Sequence, residues 1–312
     1  MRAEPETAPP PDRPLAGVPW LIADMVLVTA MTVLVKMQGA TYPAVQMVFI
    51  RALIGLLAIL PLIWRRRRDF LTMRQPLRNA GRVACNALAL TMNFAAVTAL
   101  PLALVNAIGF TRPVVSMVLA VAILGERIGR IRWIGGGIAF LGVLFLIAPE
   151  VRTLPPGALI FNVGLLAAFG SVFFGSMAAI QTRALRGEST TVMMVFYTLG
   201  LVVLTAGPAI WVWAPVRPGD WPALLAIGVL AQTAQYFFLR AYRGTEAGML
   251  APFGYLSILL AGAAGWVFFD ERPHPEMLIG AAIIIAALHL IWRSERRRRA
   301  SGRAGGATDK NL

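Results

Sequence analysis

Long apolar stretches, separated by short polar segments, run along most of this chain of 312 residues. Each stretch is about 20 residues long, which is the length an α-helix needs to cross the roughly 30 Å hydrocarbon core of a bilayer. The pattern therefore predicts ten transmembrane helices. We place these spans near residues 17–37, 43–64, 79–98, 102–124, 131–149, 157–181, 190–213, 221–242, 247–269 and 275–292.

Composition agrees with a membrane protein, because 58% of the residues are hydrophobic and only 14% are charged. Soluble domains are about half apolar and about a quarter charged. The Pro-rich segment 1–16 is predicted to be a disordered cytoplasmic tail, and no removable signal peptide is expected before the first span. Residues 293–312 are predicted to form a second, basic disordered tail in the cytoplasm.

Basic side chains are concentrated on one side of the predicted membrane. With a cytoplasmic N-terminus, twenty-three Lys and Arg residues fall in cytoplasmic segments or at the cytoplasmic ends of spans, and three fall in outer loops, which is the positive-inside pattern. We therefore expect a multi-pass protein of the inner (cytoplasmic) membrane with both termini in the cytoplasm. The Arg runs at 65–68 and 296–299 are expected to contact anionic lipids, so the net charge of +14 does not indicate nucleic-acid binding.

The sequence predicts no metal site and no cofactor. Its single cysteine, Cys85, lies among apolar residues, and the two histidines, His274 and His289, are far apart and lack clustered ligands. Zinc sites need three or four such ligands. Since there is no nucleotide-binding motif, Ser/His/Asp set, His-rich box or pair of carboxylates at matching depth, we expect neither an ATP-driven pump nor an enzyme.

An internal repeat links the two halves of the chain. The stretch ILGERI at 123–128 is echoed by FFDERP at 268–273, and the same offset of 145 residues aligns 90–148 with 235–293 without a gap. Each half holds five spans, an odd number, so the second half must enter the membrane inverted. The sequence thus predicts two inverted-topology five-helix repeats, 17–149 and 150–292, with a substrate site near mid-membrane at their interface.

Two segments of the first half, FTRPVVSMVLAVAILGERI and RWIGGGIAFLGVLFLI, resemble the fourth and fifth helices of EamA-type members of the drug/metabolite transporter superfamily. The stretch YPAVQMVFIRALIGLL looks like the second helix of such proteins. The resemblance covers residues 17–292 and implies an all-α membrane fold of ten helices that carries a small-molecule substrate. Export of amino acids or related compounds is the activity it favours. The second half departs from the pattern, since Ile258 stands where the first half has Pro113.

Four of the ionisable residues inside the predicted spans are candidates for a role, because a charged group there is costly and needs a partner or a function. Arg112 lies at mid-depth in span four next to Pro113, and Asp24 lies at a similar depth in span one. We predict that both contact the substrate; an internal pair between them is the alternative. Lys36 and Arg51 lie nearer the outer surface and are predicted to be structural.

Further cavity residues are predicted from their shared helical faces and from the repeat. They are Asn86, Asn93, Phe110, Ser116, Gln232, Gln235, Tyr236, Tyr255, Ser257 and Trp266. Hinges are expected at Gly109, Pro113, Pro252 and Gly254. The two carboxylates of the echo, Glu126 and Glu271, are predicted to end helices four and nine and to bond nearby loops or arginines.

These features together predict a secondary transporter that moves a small amphipathic organic metabolite by alternating access through a central cavity. Uptake of a larger metabolite, such as a vitamin or a nucleoside-like cofactor, is the alternative, and a lipid flippase is a third reading. The sequence leaves the substrate, the direction, the coupling ion and the oligomeric state open.

Overall fold

The computed structural model describes residues 17–65, 75–125, 162–185, 190–244 and 256–271, with short helical pieces between 130 and 145 and between 275 and 289. All regular structure in these ranges is helical, as the sequence predicts. The helices are α1 (Val18–Gln38), α2 (Ala44–Arg65), α3 (Pro76–Ala99), α4 (Leu102–Gly109), α5 (Arg112–Leu124), α6 (Val163–Ala184), α7 (Thr190–Trp211), α8 (Trp221–Gly244) and α9 (Leu256–Phe269).

The fourth predicted span is broken into α4 and α5. A two-residue turn, Phe110 and Thr111, separates them, and Pro113 lies in the first turn of α5. Proline has no N–H and is accommodated at a helix start, where that donor would be unsatisfied in any case. The break thus occurs directly before the Arg-Pro pair, next to the predicted hinge Gly109.

Counting α4 and α5 as one span, three described helices are long and apolar enough to cross a membrane: Val18–Gln38, Leu102–Ile123 and Val163–Thr182. Shorter apolar helices lie at Ala44–Leu60, Val195–Trp211 and Leu259–Phe269. Large apolar side chains such as Leu57, Ile210 and Val267 are exposed on the outside of the bundle. A soluble monomer rarely exposes so much apolar surface, so this exterior suits contact with lipid.

Small residues bring α2 and α8 close together. A Cβ on Gly228 would lie 2.3 Å from Ile54 Cδ1, and a Cβ on Gly55 would lie 2.0 Å from Gln232 Nε2. Both distances are far below van der Waals contact. At Gly228 the branched side chain of Ile54 would have to shift, and at Gly55 the end of the Gln232 side chain would have to move away. Small residues at helix contacts are a common device in membranes, where close backbone packing replaces the hydrophobic effect between helices.

The contacts between the first-half helices (α1 to α5) and the second-half helices (α6 to α9) fall into pairs. The contact of α1 with α8 corresponds to that of α3 with α6, and the contact of α2 with α8 corresponds to that of α3 with α7. The contact of α1 with α9 corresponds to that of α4 and α5 with α6. Two further contacts, α2 with α7 and α4 with α9, join helices at equivalent positions of the two halves. If each span is exchanged with the span five places along the chain, so that α1 takes the place of α6, α2 of α7, α3 of α8, and α4 with α5 of α9, the same set of contacts results.

Candidate functional site

A cavity of about 220 Å³ lies between α1, α2 and α8. One face of each helix lines this cavity. The lining residues of α1 are spaced i, i+4, i+7 and those of α8 are spaced i, i+3, i+4, i+7, and residues at these spacings lie on the same side of a helix. We call it the charged cavity. Its lining consists of Asp24, Val28 and Met31 from α1, Arg51 from α2, and Ala231, Ala234, Gln235 and Phe238 from α8.

Asp24 supplies the negative group of the charged cavity. The residue is only 9% exposed. Within the described part of the chain, its carboxylate accepts no hydrogen bond and forms no ion pair. Its remaining exposure is toward the cavity that it lines.

Arg51 supplies the positive group. Its guanidinium lies over the ring of Phe94 in α3, 5.9 Å from the ring centroid, and close to Tyr197 of α7. A cation over an aromatic face is attracted by the ring, but the ring accepts no conventional hydrogen bond from its five N–H groups. No hydrogen-bond acceptor for Arg51 occurs among the described residues.

Asp24 and Arg51 flank the same cavity without pairing. In the ranges that the structure covers, the ion pair that forms is instead Lys36 with Glu271. Two opposite charges therefore face a shared space, and the amide of Gln235 and the ring of Phe238 complete its polar and aromatic lining. The sequence predicted Asp24 and Gln235 as cavity residues, whereas Arg51, predicted to be structural, joins them here.

The Lys36–Glu271 cluster lies where α1 and α9 end. The ammonium of Lys36 contacts a carboxylate oxygen of Glu271 and donates to the carbonyl of Leu100 at 2.5 Å. The other oxygen of Glu271 accepts the N–H of Leu102 at 2.9 Å. Leu100 follows α3 and Leu102 begins α4, so the cation meets a helix C-terminus and the carboxylate meets a helix N-terminus, each the favourable end.

The stretch YPAVQMVFIR also holds the connection between α7 and α8. Gln46 is fully buried; its side chain donates to the carbonyl of Ala214 at 2.8 Å and accepts the Ala214 N–H at 2.9 Å. The hydroxyl of Tyr42 donates to Asp220 at 2.6 Å and accepts the Arg217 N–H at 3.1 Å. These contacts were not predicted from the sequence.

The remaining polar candidates on α3 and α8 are not all directed at the charged cavity. The amide of Asn86 donates to the carbonyl of Arg82 one turn earlier at 3.2 Å, and Asn93 is half-buried on the same helix. Gln232 packs beside Gly55. Tyr236 is 53% exposed and accepts a hydrogen bond from Arg240 at 3.1 Å.

Arg112 lies apart from Asp24. Its guanidinium is packed beside Gly175 of α6, where a Cβ would lie 3.3 Å from the guanidinium carbon, and its carbonyl accepts the Ser176 hydroxyl at 3.3 Å. Ser116 is half-buried on the same helix. The structure thus brings Asp24 together with Arg51 and not with Arg112.

The other candidates lie on α4, α9 and the turn after α4. Asn106 of α4 donates to the Ser257 carbonyl at 3.1 Å and accepts the Ser257 hydroxyl at 3.3 Å, which joins α4 to α9. Phe110 is half-buried, and Trp266 is 59% exposed on the outside of α9. Four predicted residues, Glu126, Pro252, Gly254 and Tyr255, lie outside the described residues. No group of three or more potential metal ligands occurs within the described ranges.

Comparison with known families decides the class of protein. The family described as an EamA-like transporter family matches the chain twice, at residues 15–148 and 162–293. The chain belongs to the EamA-like transporter family. The resemblance read from the sequence is therefore confirmed, and the protein is a multi-pass membrane transporter of small molecules rather than an enzyme.

Characterised relatives of this EamA-like transporter carry different solutes. It is 30% identical over 270 residues to the pseudopaline exporter CntI of Pseudomonas aeruginosa, covering 86% of this chain and 93% of the relative. It is 28% identical over 292 residues to a riboflavin transporter of Rhizobium johnstonii, covering 92% and 94%. It is 24% identical over 283 residues to an S-adenosylmethionine uptake transporter of Rickettsia felis, covering 91% and 94%.

A solved crystal structure shares the fold of this EamA-like transporter. The match has a TM-score of 0.61 at 18% sequence identity and covers 88% of this chain and 96% of the other. At that identity the likeness concerns the fold alone.

Proposed function

We propose that this EamA-like transporter is a secondary transporter of the inner membrane for a small amphipathic organic metabolite, an amino acid or related compound, with export favoured. The observation that carries the proposal is the charged cavity, where Asp24 and Arg51 face one space and neither has an ion-pair partner among the described residues. The cavity lies between α1 and α2 on one side and α8 on the other. Helices α1 and α2 belong to the first family match and α8 to the second.

Two inverted five-helix repeats, with ten spans in all, are the architecture that we propose. The paired helix contacts support it, since they are unchanged when spans five places apart are exchanged. So does the double family match, whose two parts begin 147 residues apart. The sequence VQMVF at 45–49 recurs as VMMVF at 192–196, also 147 residues apart, and Pro61 and Pro208 keep the same offset.

The contacts at the helix ends support the topology on which the proposed cytoplasmic location of both termini rests. Lys36 with Glu271, and Tyr42 with Asp220, join segments that the positive-inside pattern assigns to the outer face. At the other end, Arg82 donates to the Met193 carbonyl at 2.8 Å, joining the starts of α3 and α7. The Arg240 guanidinium lies 5.0 Å from the centroid of the Trp20 ring there. Each contact joins helix ends assigned to the same side.

Alternating access is the transport mechanism that we propose, and the same contacts support it. The Lys36–Glu271 cluster ties α1 and the α3–α4 turn to α9, so it holds the two halves together at the outer face. Asn106 and Ser257 tie α4 to α9 deeper in the bundle. Helix α4 then moves with α9 and turns relative to α5 about residues 109–111, where the span is already broken.

The test is solute counterflow by the purified protein in proteoliposomes, with a panel of amino acids, vitamins and nucleosides. We expect exchange of at least one amino acid or related compound, and a loss of roughly tenfold or more in Arg51→Gln. Arg112→Gln is assayed in parallel, because Arg112 is the contact predicted from the sequence. If Arg51→Gln transports normally and Arg112→Gln does not, the substrate path lies along α5 and the charged cavity is not the site.

Uptake of a larger metabolite is the second candidate, and it is favoured by the relatives named for riboflavin and S-adenosylmethionine. The size of the charged cavity counts against it. At about 220 Å³ it is smaller than the roughly 300–1,000 Å³ typical of sites for drug-sized ligands. Exchange of riboflavin but of no amino acid in the same assay would favour this second candidate.

A further inference from the structure

We propose that the charged cavity is a receptor for a neutral zwitterion, in which Arg51 binds the carboxylate and Asp24 binds the ammonium of the solute. The proposal rests on the transport function proposed above and specifies its substrate. It also gives Arg51, which was predicted from the sequence to be structural, a role in binding the substrate.

The first argument is the lack of partners for both charges. An ionised side chain inside a membrane protein is costly unless a charge or hydrogen-bonding group compensates it. The guanidinium of Arg51 has a ring beside it but no hydrogen-bond acceptor in the described structure, and the carboxylate of Asp24 has no donor there. A solute that carries both charges compensates the two residues at once.

The second argument is the matching of groups. A guanidinium presents a planar fork of N–H groups that suits a carboxylate, and an ammonium supplies three donors to a carboxylate such as Asp24. A solute with only a positive charge would leave Arg51 uncompensated, and one with only a negative charge would leave Asp24 uncompensated. The pair therefore selects for net neutrality with both charges present.

The third argument is the apolar remainder of the lining. Val28, Met31, Ala231, Ala234 and Phe238 surround the space between the two charges. These side chains favour an aliphatic or thioether substituent on the solute, and the volume of about 220 Å³ favours a small one. Leucine and methionine are the test compounds that fit this description.

The fourth argument is that the fold does not require charges at these positions. The offset of 147 residues takes Asp24 to Ser171 and Arg51 to Thr198. Both counterparts are buried and neutral, and the Ser171 hydroxyl donates to the carbonyl of Ala168 in its own helix at 2.8 Å. One half therefore packs with neutral residues where the other places charges, so the charges serve a role other than packing.

The experiment measures counterflow of radiolabelled leucine and methionine into proteoliposomes loaded with the same amino acid. Leucinamide, which lacks the carboxylate, and N-acetylleucine, which lacks the ammonium, are added as competitors. Losing a hydrogen-bonded charge contact weakens binding by roughly 10- to 100-fold. We expect both analogues to compete that much more weakly than leucine.

Two variants separate the roles of the charges. In Arg51→Gln the disadvantage of leucinamide relative to leucine should shrink, and in Asp24→Asn that of N-acetylleucine should shrink. A folding defect would weaken competition by all compounds alike and would not change the strength of the analogues relative to leucine. Thr233→Ala is the control on α8, since its hydroxyl bonds the carbonyl of Val229 in its own helix, and it should keep the wild-type order.

The outcomes distinguish this proposal from the general one. If the protein exchanges another amino acid or related compound of the panel while leucine and methionine neither move nor compete, the zwitterion receptor is wrong and the proposed transport function stands. If leucinamide and N-acetylleucine compete as well as leucine, the receptor is likewise wrong. If a folded, reconstituted protein moves no solute of the panel, both proposals fail.

Discussion

The ammonium of Lys36 and the carboxylate of Glu271 form an ion pair that bridges the first and second halves of the chain. Both side chains are largely buried, 14% and 17% exposed. Each also serves a backbone group, Leu100 O for the cation and Leu102 N for the carboxylate. The pair therefore compensates two helix ends at the same time as it joins two halves.

Glu271→Gln should destabilise the folded protein. The substitution removes a charged partner of Lys36, and hydrogen bonds to charged groups contribute about 1.5–3 kcal/mol. We expect the free energy of unfolding in mixed micelles to fall by about that amount. Thr233→Ala on α8 is the control, since its hydroxyl bonds the carbonyl of Val229 in its own helix, and a smaller effect is expected.

Exchanging the two charges should fail to restore stability. A Glu at position 36 cannot donate to Leu100 O, and a Lys at position 271 cannot accept the Leu102 N–H. The double variant Lys36→Glu with Glu271→Lys should thus remain less stable than the wild type. Full recovery in the same unfolding assay would mean that the charges alone matter and the helix ends do not.

Gly265→Ala should disturb the same cluster from a different position. A Cβ there would lie 2.4 Å from Glu271 Oε2, so the carboxylate must shift. Such overpacking typically costs about 1–3 kcal/mol. Gly262→Ala on the same helix places its Cβ 3.8 Å from Ala103 Cβ, an ordinary contact. We expect the midpoint of thermal unfolding to fall for the first variant and to stay near or above the wild-type value for the second.

Gln46→Met should release the connection between α7 and α8. The side chain keeps a similar length but loses both bonds to Ala214, leaving a backbone donor and an acceptor unsatisfied at a cost of about 1–3 kcal/mol each. Limited proteolysis at residues 213–220 should accelerate in the variant. Gln38→Met, at the end of α1, is the control, and equal cleavage of both variants would contradict the assignment.

The Tyr42–Asp220 bond predicts a pH dependence. The hydrogen bond that Tyr42 donates to Asp220 raises the pKa of the Tyr42 phenol above its ordinary value near 10. With a folded pKa above the unfolded one, the stabilisation is complete below about pH 10 and is lost as the pH rises through the folded pKa. The wild type should therefore lose thermal stability more steeply in this range than Tyr42→Phe, whereas parallel curves would exclude this contribution.

The periodicity of the apolar residues and the position of proline predicted much of the fold. Within the described residues, helices occur where the apolar runs predict them. The Arg112-Pro113 pair predicted a hinge in the fourth span, which is broken directly before it. The carboxylate Glu271 was expected to bond nearby loops or arginines at the end of helix nine; it contacts the ammonium of Lys36, a lysine, and the N–H of Leu102. These features are local to one helix or one sequence motif.

The residues that the ionisable side chains contact could not be predicted from such local patterns. Depth along a helix follows from counting residues, and that count placed Asp24 and Arg112 at similar depths. Which residues meet depends also on the rotation of each helix and on which helices are neighbours. Gly55 and Gly228 fix the approach of α2 to α8, so Arg51 reaches the cavity of Asp24, while Arg112 turns toward α6. Neither property has a signal in the spacing of a single helix.

The distance in sequence between Lys36 and Glu271 has a consequence for biogenesis. The two residues are 235 positions apart, and chains are synthesised at about 5–20 residues per second. Glu271 is therefore synthesised roughly 10–50 s after Lys36. During this interval water or lipid headgroups must solvate the ammonium of Lys36. A first half made alone would never receive that partner, so coexpressed halves should assemble through this contact.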